Sequence, residues 1–376
     1  MSRRIRGINY RVLTVLLLVG VPVLLTGAWL VIEDGRAELR DAFGVRLAQR
    51  AEQSAAAVDG YVYRRIVDVA LLARVPDVRA ASEAAGRQPF DADATQALDR
   101  RFAALDLASP EIADVLDNAA SRYLSEITRQ DPIYREILLT DRQGRLAAAS
   151  NLTSDYYQAD EDWWRRVMGD GGRGEATVSD VRWDDSARTH AMEIAVPVPG
   201  PDERPMGVLK AVADIREMLT SIIGTDVGAG SDAMLLRRNG TIVFSRQVVD
   251  PGARFFAAGR MRERLEALQG QGPSRLYFQA QTADGDNHLV GVATSQLAST
   301  YPHLPWVVAV WQPTDAALAP VNSLFRELLL VLALTILAVL AMAVYFSVRL
   351  AAPPVEIDME LVPHPHIARV ADEETV

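Results

Sequence analysis

Residues 136–150 read EILLTDRQGRLAAAS, and residues 233–245 read AMLLRRNGTIVFS. Each stretch is an apolar run, a polar turn that contains Gly144 or Gly240, and a second apolar run, which is the pattern of a β-hairpin. Further apolar runs follow each hairpin, at 191–197 and 206–215 in one case and at 288–294 and 306–311 in the other. The turn glycines lie 96 residues apart. The repetition predicts two copies of one antiparallel-sheet module.

Long helices are expected before the first hairpin. Between residue 33 and about residue 85, apolar side chains recur at helical spacing, among them Val58, Val62 and Ile66. Pro76 is expected to interrupt this helix. More helix is predicted between about 94 and 130, with a break near Ser109 and Pro110.

Two uncharged apolar stretches flank the hairpins, at Val12–Ile32 and Leu328–Val348. Each has 21 residues, enough to cross about 30 Å of hydrocarbon as a helix. Four arginines precede the first stretch and Arg349 closes the second, so the positive-inside rule predicts that both ends lie in the cytoplasm. A cleaved signal peptide is the alternative for the first stretch, but it calls for a shorter apolar core and a small-x-small cleavage site.

The expected product is a two-pass protein of a bacterial plasma membrane with its large domain in the periplasm. Its predicted parts are a cytoplasmic N-terminus (1–11), a first span (12–32), a periplasmic domain (33–325), a second span (326–348) and a short cytoplasmic tail (349–376). Within the periplasmic domain we expect long helices (33–130), a membrane-distal module (about 131–222) and a membrane-proximal module (about 223–322).

Composition excludes several classes of function. The net charge of −10 argues against a nucleic-acid partner. The absence of cysteine excludes disulfides, zinc–thiolate sites and thiol catalysis. In the predicted outer domain the histidines are widely separated, at 190, 288 and 303, and no catalytic or metal motif surrounds them, so we expect neither an enzyme nor a metal or cofactor. His364 and His366 are expected in a solvated tail.

Several segments carry a family resemblance: LTDRQGRL (139–146), DYYQADEDWW (155–164), IAVPV (194–198), GVLKAVADI (207–215), YPHLPWVVAVWQ (301–312) and ALAPV (317–321). In this order, between two apolar stretches, they resemble the double Cache family of bacterial sensors over about residues 35–325. The resemblance implies an α+β fold in which a long N-terminal helix carries two stacked PAS-like antiparallel modules, flanked by two transmembrane helices. It also implies a ligand in the membrane-distal module.

The resemblance also implies site residues. Amino-acid-binding members of the family use a tyrosine, an arginine, two neighbouring aromatic residues and a late aspartate. The matching positions here are Tyr156, Trp163, Trp164 and Asp214, but the arginine position is occupied by Glu161. Either the register shifts, so that Arg165 or Arg166 holds a ligand carboxylate, or the ligand is a cation.

For a cationic ligand, Glu161 and Asp214 would supply negative charge. The aromatic faces would come from Tyr156, Trp163, Trp164 and Trp183. Alternatively these aromatic residues belong to the core, and the acidic run at 160–162 is a solvated loop. Asp184 and Asp185 are expected to be loop residues.

The predicted function is therefore a membrane-bound sensor of an amine or amino-acid-like small molecule. Because the expected cytoplasmic tail is too short for an output domain, a partner in the same membrane would carry the signal, such as a histidine kinase, a cyclase or a chemotaxis protein. A truncated receptor gene would leave such a tail. A homodimer is expected through the long helix, as in family relatives. The alternative is a ligand-free Cache scaffold within a membrane signalling complex.

Overall fold

The computed structural model describes residues 10–168, 174–184, 189–215, 230–245, 263, 277–281 and 285–349. Its helices are α1 (Tyr10–Leu72), α2 (Pro76–Gly86), α3 (Ala92–Phe102), α4 (Pro110–Leu116), α5 (Ala119–Gln130), α6 (Asp162–Met168), α7 (Leu297–Thr300), α8 (Thr314–Ala317) and α9 (Ala319–Arg349). Its strands are β1 (Tyr134–Thr140), β2 (Leu146–Ala149), β3 (Thr177–Val178), β4 (Arg182–Asp184), β5 (Thr189–Pro199), β6 (Pro205–Asp214), β7 (Asp232–Arg237), β8 (Ile242–Ser245), β9 (Tyr277–Gln281), β10 (Asn287–Thr294) and β11 (Trp306–Pro313).

The strands form two antiparallel sheets. The first sheet has the order β2-β1-β6-β5-β3, with β4 also paired to β5, and the second has the order β8-β7-β11-β10-β9. In both sheets the hairpin lies at one edge, beside the last strand of its half of the chain, which pairs in turn with the strand before it. This shared order confirms the predicted repeat and the α+β class. We call β1–β6 the first module and β7–β11 the second module.

Both predicted hairpin turns have the glycine conformation that they require. Gly144 has φ +90° and Gly240 has φ +82°, a region that residues with a Cβ rarely adopt. At Gly144 the chain is also crowded, since a Cβ there would lie 2.5 Å from the Cβ of Ala159. The turn therefore fixes both the strand pairing and the position of the segment that follows β2.

Helix α1 packs along both sheets. Its buried residues follow helical spacing and include Leu47, Ala51, Val58 and Val62. At the second sheet the contact is backbone to backbone, because a Cβ added to Gly291 in β10 would lie 2.2 Å from the carbonyl carbon of Leu47. The shared core of α1 and the apolar sides of both sheets is the main source of hydrophobic stabilisation in residues 38–320.

Prolines begin two of the helices that follow. Helix α1 ends at Leu72 and Pro76 is the first residue of α2, while Pro110 is the first residue of α4. Proline suits the first helical position, where its missing N–H has no intrahelical partner to lose. The breaks predicted at both prolines are thus present.

Among the described residues, two helices are long and apolar enough to cross a membrane, by length and composition alone. The qualifying segments are Leu18–Leu72, which belongs to α1, and Phe325–Tyr345, which belongs to α9. Their large apolar side chains are mostly exposed, for example Trp29 at 63% and Leu334 at 63% of full exposure. The predicted tail at 349–376, with His364 and His366, lies almost entirely outside the described residues.

Candidate functional site

The two faces of the first sheet differ in chemistry. Ile137, Leu209 and Ile194, on β1, β6 and β5, are fully buried in the core shared with α1. Strand alternation turns their neighbours to the other face, where Glu136 and Lys210 stand at positions otherwise taken by apolar residues. Glu193 on β5 lies on this second face too, since it is paired in register with Val212 as Glu136 is. Three charged side chains therefore project from one sheet face.

These charged side chains line a cavity of about 320 Å³. The remaining wall comes from the segment that follows β2, from the end of β4 and from the start of α6. The lining residues are Arg135, Glu136, Asn151, Leu152, Thr153, Ser154, Asp155, Gln158, Glu161, Asp184, Glu193 and Lys210. We call this space the acidic cavity, because five of these residues are carboxylates and two are cations.

A β-bulge adds Arg135 to the lining. The pairing of β1 with β6 shifts between Tyr134 and Glu136, which leaves Arg135 as the extra residue. A bulge of this kind re-aims a side chain that would otherwise alternate to the opposite face. Arg135 Nη2 lies 2.8 Å from Oδ2 of Asp214, whose side chain is buried. The bulge thus supplies the counter-charge for an aspartate at the end of β6.

Lys210 is the central cation of the acidic cavity. It is buried, with 8% exposure, and its Nζ lies 3.4 Å from Oε1 of Glu193. The same Nζ lies 5.1 Å from the centroid of the Trp163 ring, within the range of a cation–π contact. Oε2 of Glu193 accepts a hydrogen bond from Arg182 at 3.1 Å. Glu193 therefore has two cationic partners, Lys210 and Arg182.

Glu136 and Glu161 are the carboxylates with least compensation. Within the part of the chain that the structure describes, neither forms an ion pair. Burial raises the pKa of Glu136, and the nearby carboxylates Asp184 and Asp155 raise it further while Lys210 lowers it. Burial likewise raises the pKa of Glu161, with Asp155 adding to the effect. Both shifts arise chiefly from burial, which the positive charge of Lys210 does not offset.

Three of the six predicted ligand residues lie at or next to this cavity. Glu161 lines it. Asp214 adjoins it through Arg135. Trp163 is buried in the apolar cluster of α6 and β6 and presents its face to Lys210. Its face is thus occupied by a side chain of the protein.

The other three predicted residues lie elsewhere. Tyr156 packs against Phe102, with ring centroids 5.5 Å apart, and lines a different cavity. Trp164 donates its indole N–H to Thr140 at 3.2 Å and packs in the same apolar cluster as Trp163. Trp183 is 53% exposed and pairs with His190 across β4 and β5, with ring centroids 5.1 Å apart.

The position of Trp183 follows from strand alternation. Its neighbours Arg182 and Asp184 are the β4 residues on the face of Glu193, so Trp183 points to the other face. Asp184, expected in a loop, is instead the last residue of β4 and lines the acidic cavity. Asp185 lies outside the described residues. The assignment of a loop to Asp184 was wrong because a three-residue strand leaves little periodicity to detect.

The two arginines predicted as alternatives for binding a ligand carboxylate, Arg165 and Arg166, do not line the acidic cavity. Arg165 is exposed and lies 3.6 Å from Asp162, its neighbour on α6. Arg166 borders a separate space of about 240 Å³. In the part of the chain that the structure describes, the cations that line the acidic cavity are Arg135 and Lys210, and neither was predicted. The available signal was a charged residue inside an otherwise apolar strand, as at Glu136, Glu193 and Lys210.

A second cavity, of about 340 Å³, lies beside α2, α4 and β2 and includes Tyr156 in its lining. Arg145, the cationic residue of its described lining, already has partners. It binds Asp141 with an Nε–Oδ2 distance of 2.7 Å. The same guanidinium donates to the carbonyls of Ala85 and Pro89, at 2.7 and 3.1 Å. This arginine anchors the hairpin to the end of α2, so the acidic cavity is the stronger candidate for a ligand.

The chain matches a known protein family over most of its length. The dCache_1 family model, described as a Cache domain, matches residues 36–321. No curated protein matches the chain in sequence.

Several solved structures are similar to the chain at low identity. The ligand-binding domain of the Pseudomonas aeruginosa PAO1 amino acid chemoreceptor PctB, in complex with L-Arg, is 16% identical, with a TM-score of 0.43 over 75% of this chain and 92% of that chain. The corresponding domain of Pseudomonas fluorescens CtaA, in complex with L-isoleucine, is 13% identical, with a TM-score of 0.46 over 76% and 98%. The sensory domain of Campylobacter jejuni Tlp3 is 12% identical, with a TM-score of 0.47 over 75% and 98%.

Proposed function

The chain belongs to the Cache domain family, and on this premise we propose that its first module senses a small molecule with at least one ammonium group, bound in the acidic cavity. The observation that carries the proposal is the excess of carboxylates over cations among the described lining residues, five against two. Like charges that share a partly desolvated space repel one another. An incoming ammonium group relieves that repulsion, whereas an anion would add to it.

Glu136 and Glu161 are the groups to which we assign the ammonium. Burial raises the pKa of both carboxyls, so both gain from a positive charge in contact. A hydrogen bond to a charged group contributes about 1.5–3 kcal/mol. Two such contacts are enough to distinguish an amine from an alcohol of the same shape.

The cavity favours ammonium groups that donate hydrogen bonds. Among its described lining residues none is aromatic, and the face of Trp163 is turned to Lys210. Quaternary ammonium ligands depend on aromatic faces, so we expect them to bind poorly. The proposed ammonium site therefore keeps the carboxylate Glu161 from the predicted site and does without the predicted aromatic faces.

An amino-acid-like ligand is the variant of this proposal that uses Lys210. Its ammonium would lie at Glu136 and Glu161, and its carboxylate would lie near Lys210 Nζ. Lys210 is shared with Glu193 at 3.4 Å, a distance at the long end for an ion pair. Such a ligand would still be selected for positive charge, because carboxylates remain in excess around it.

We extend the proposal to the expected topology. The two apolar helices would anchor the protein in a bacterial plasma membrane with residues 36–321 outside the cytoplasm, and the ligand state would pass to a membrane partner. Support comes from the two segments that are long and apolar enough to cross a membrane and from the arginines before the first.

A thermal-shift screen of the full chain in detergent tests the proposal. The panel contains diamines, basic and neutral amino acids, quaternary amines and dicarboxylates. A ligand at 100 times its Kd adds about 2.7 kcal/mol of stability, which moves a melting curve clearly. We expect shifts from amines or basic amino acids that are lost in Glu136→Gln and retained in Glu52→Gln, a change on the exposed side of α1. No shift across the panel would favour the ligand-free scaffold, and shifts from dicarboxylates alone would refute an acidic binding site.

A further inference from the structure

Residues 178–181, which we call the bridge segment, connect β3 to β4 and contact both modules. Its central residue is Asp180. Oδ1 of Asp180 accepts a hydrogen bond from Trp306 Nε1 at 2.9 Å, and Oδ2 accepts one from Arg237 Nε at 2.6 Å. Both donors belong to the second module. One carboxylate of the first module therefore holds two side chains of the second.

On the second module these contacts converge on two neighbouring strands. Arg237 ends β7 and Trp306 begins β11, and the two residues are paired in register. Trp306 is fully buried. Arg237 Nη2 also donates to the carbonyl of Val181 at 3.2 Å, and His303 Nε2 donates to the carbonyl of Val178. The bridge segment is thus held at three of its four residues.

On the first module the bridge segment is hydrogen-bonded to the backbone of Glu193, a residue that lines the acidic cavity. Ser179 N donates to the Glu193 carbonyl at 2.8 Å, and Glu193 N donates to Ser179 Oγ at 2.9 Å. Glu193 projects its carboxylate into the acidic cavity toward Lys210 and Arg182. Ser179 therefore links the backbone of a residue that lines the acidic cavity to Asp180, its neighbour in the chain.

The surroundings leave room for this connection to rearrange. A space of about 240 Å³ is lined by Ser179, Asp180, Glu193 and His303. Asp180 and Arg237 are both largely shielded, with side chains 24% and 28% exposed. Their contact is charge-assisted and directional. A change at Glu193 would then shift the bridge segment as a unit, because its contact with Arg237 is shielded from solvent.

From these contacts we infer that the bridge segment transmits the state of Glu193 in the acidic cavity to β7 and β11 of the second module, with Asp180 as the coupling residue. Asp180 acts by position and does not touch the ligand. The functional meaning of this connection rests on the proposed function, since Glu193 lines the proposed ligand site. The connection itself does not depend on the proposed function, because a change of charge at Glu193 alone is expected to shift the bridge segment.

Hydrogen exchange of the full chain in detergent, without ligand, tests the inference through a double-mutant cycle. The four proteins are wild type, Glu193→Gln, Asp180→Asn and the double variant. Glu193→Gln should speed exchange in peptides that cover 232–238 and 303–311 by at least about threefold, a change typical of residues coupled through one network. In the Asp180→Asn background the same substitution should leave these peptides unchanged.

The matched control is Glu136→Gln. It removes another carboxylate from the same cavity, but Glu136 lies on β1 and has no hydrogen bond to the bridge segment among the described contacts. It should not speed exchange in either peptide of the second module. Should Asp180→Asn fail to fold, Trp306→Phe replaces it, because this change removes the Nε1 donor and keeps a buried ring.

Three results would overturn the inference. The first is an equal effect of Glu193→Gln with and without Asp180. The second is a response confined to the first module. The third is a response of the second module to Glu136→Gln that matches the response to Glu193→Gln. Because no ligand is used, a failed amine screen leaves this test intact, and a failed cycle leaves the amine proposal intact.

Discussion

Lys210 Nζ lies 5.1 Å from the centroid of the Trp163 ring, so the aromatic face expected to hold a ligand cation holds a lysine of the protein instead. The same Nζ is 3.4 Å from Glu193 and lowers the pKa of both Glu136 and Glu161. Lys210 is therefore an internal cation that partly neutralises three carboxylates. A ligand ammonium has to bind beside it.

Replacing Lys210 by methionine should strengthen the binding of a pure amine. Removal of the central positive charge ends its repulsion of an incoming ammonium, and a gain of about 1.4 kcal/mol corresponds to tenfold tighter binding. Isothermal titration of butane-1,4-diamine into the full chain in detergent measures this change. Lys210→Arg, which keeps the charge, should stay close to wild type. Weaker diamine binding in Lys210→Met would contradict the role of Lys210 as a competing cation.

Trp183→Ala should leave amine affinity within about twofold of wild type, because a surface substitution away from the site changes free energies by about 0.5 kcal/mol or less. Trp183 is exposed and lies against His190 on the face opposite Glu193. Titration of the same diamine measures the affinity. A loss of tenfold or more would show that Trp183 contacts the ligand after all.

Amine affinity should fall as the pH falls through the raised pKa values of Glu136 and Glu161. An ammonium group binds the ionised carboxylates, and burial raises the pKa of both groups in the free protein. Protons are therefore released on binding at pH values near those raised pKa values, and the affinity is fully present only above them. Titrations in two buffers with different ionisation enthalpies measure the released protons. Glu136→Gln should reduce the number released.

Glu136 and Glu161 should affect the stability of the ligand-free protein in the opposite direction. Their contribution to stability should fall as the pH rises. A carboxyl whose pKa is raised in the folded state binds protons more readily there than in the unfolded chain. Its contribution to stability is present at acidic pH and is lost as the pH rises through the folded-state pKa. We therefore expect Glu136→Gln to raise the melting temperature at neutral pH relative to wild type. A lower melting temperature would mean that the Glu136 carboxylate is compensated in the free protein.

Two identical substitutions on either side of the α1 packing surface should have opposite signs. Gly291→Ala places a Cβ 2.2 Å from the backbone of Leu47, and overpacking of this kind costs about 1–3 kcal/mol. Gly60→Ala on α1 has nothing within 4 Å and should stabilise the helix by up to about 1 kcal/mol. Chemical denaturation of the two variants measures both changes. A neutral result for Gly291→Ala would show that α1 and β10 can separate without cost.

Much of the fold could be predicted because local patterns determine it. Gly144 and Gly240 mark two hairpins whose positive φ values only glycine adopts readily, and the repeat of apolar runs after each hairpin leads to two sheets of the same strand order. Pro76 and Pro110 begin helices because proline suits the first helical position. These features depend on a few adjacent residues, which is why the sequence alone contains them.

The site was only partly predictable because it depends on pairing between distant strands. Glu136, Glu193 and Lys210 come from three strands and meet only once the register of β1, β5 and β6 is known. The bulge that turns Arg135 toward Asp214 leaves no mark in the local sequence. Spacing within one segment selected Glu161, which lines the acidic cavity, but it gave no way to know that Lys210 would lie over the face of Trp163.

The most direct test of the account is the affinity of the full chain for butane-1,4-diamine, compared between wild type and Glu136→Gln/Glu161→Gln by isothermal titration. Loss of two contacts with a charged group, each about 1.5–3 kcal/mol, corresponds to at least a hundredfold weaker binding. We predict measurable binding in wild type and a loss of that size in the double variant, with Glu52→Gln unchanged. Equal affinity in wild type and the double variant would contradict the assignment of the acidic cavity as the ammonium site.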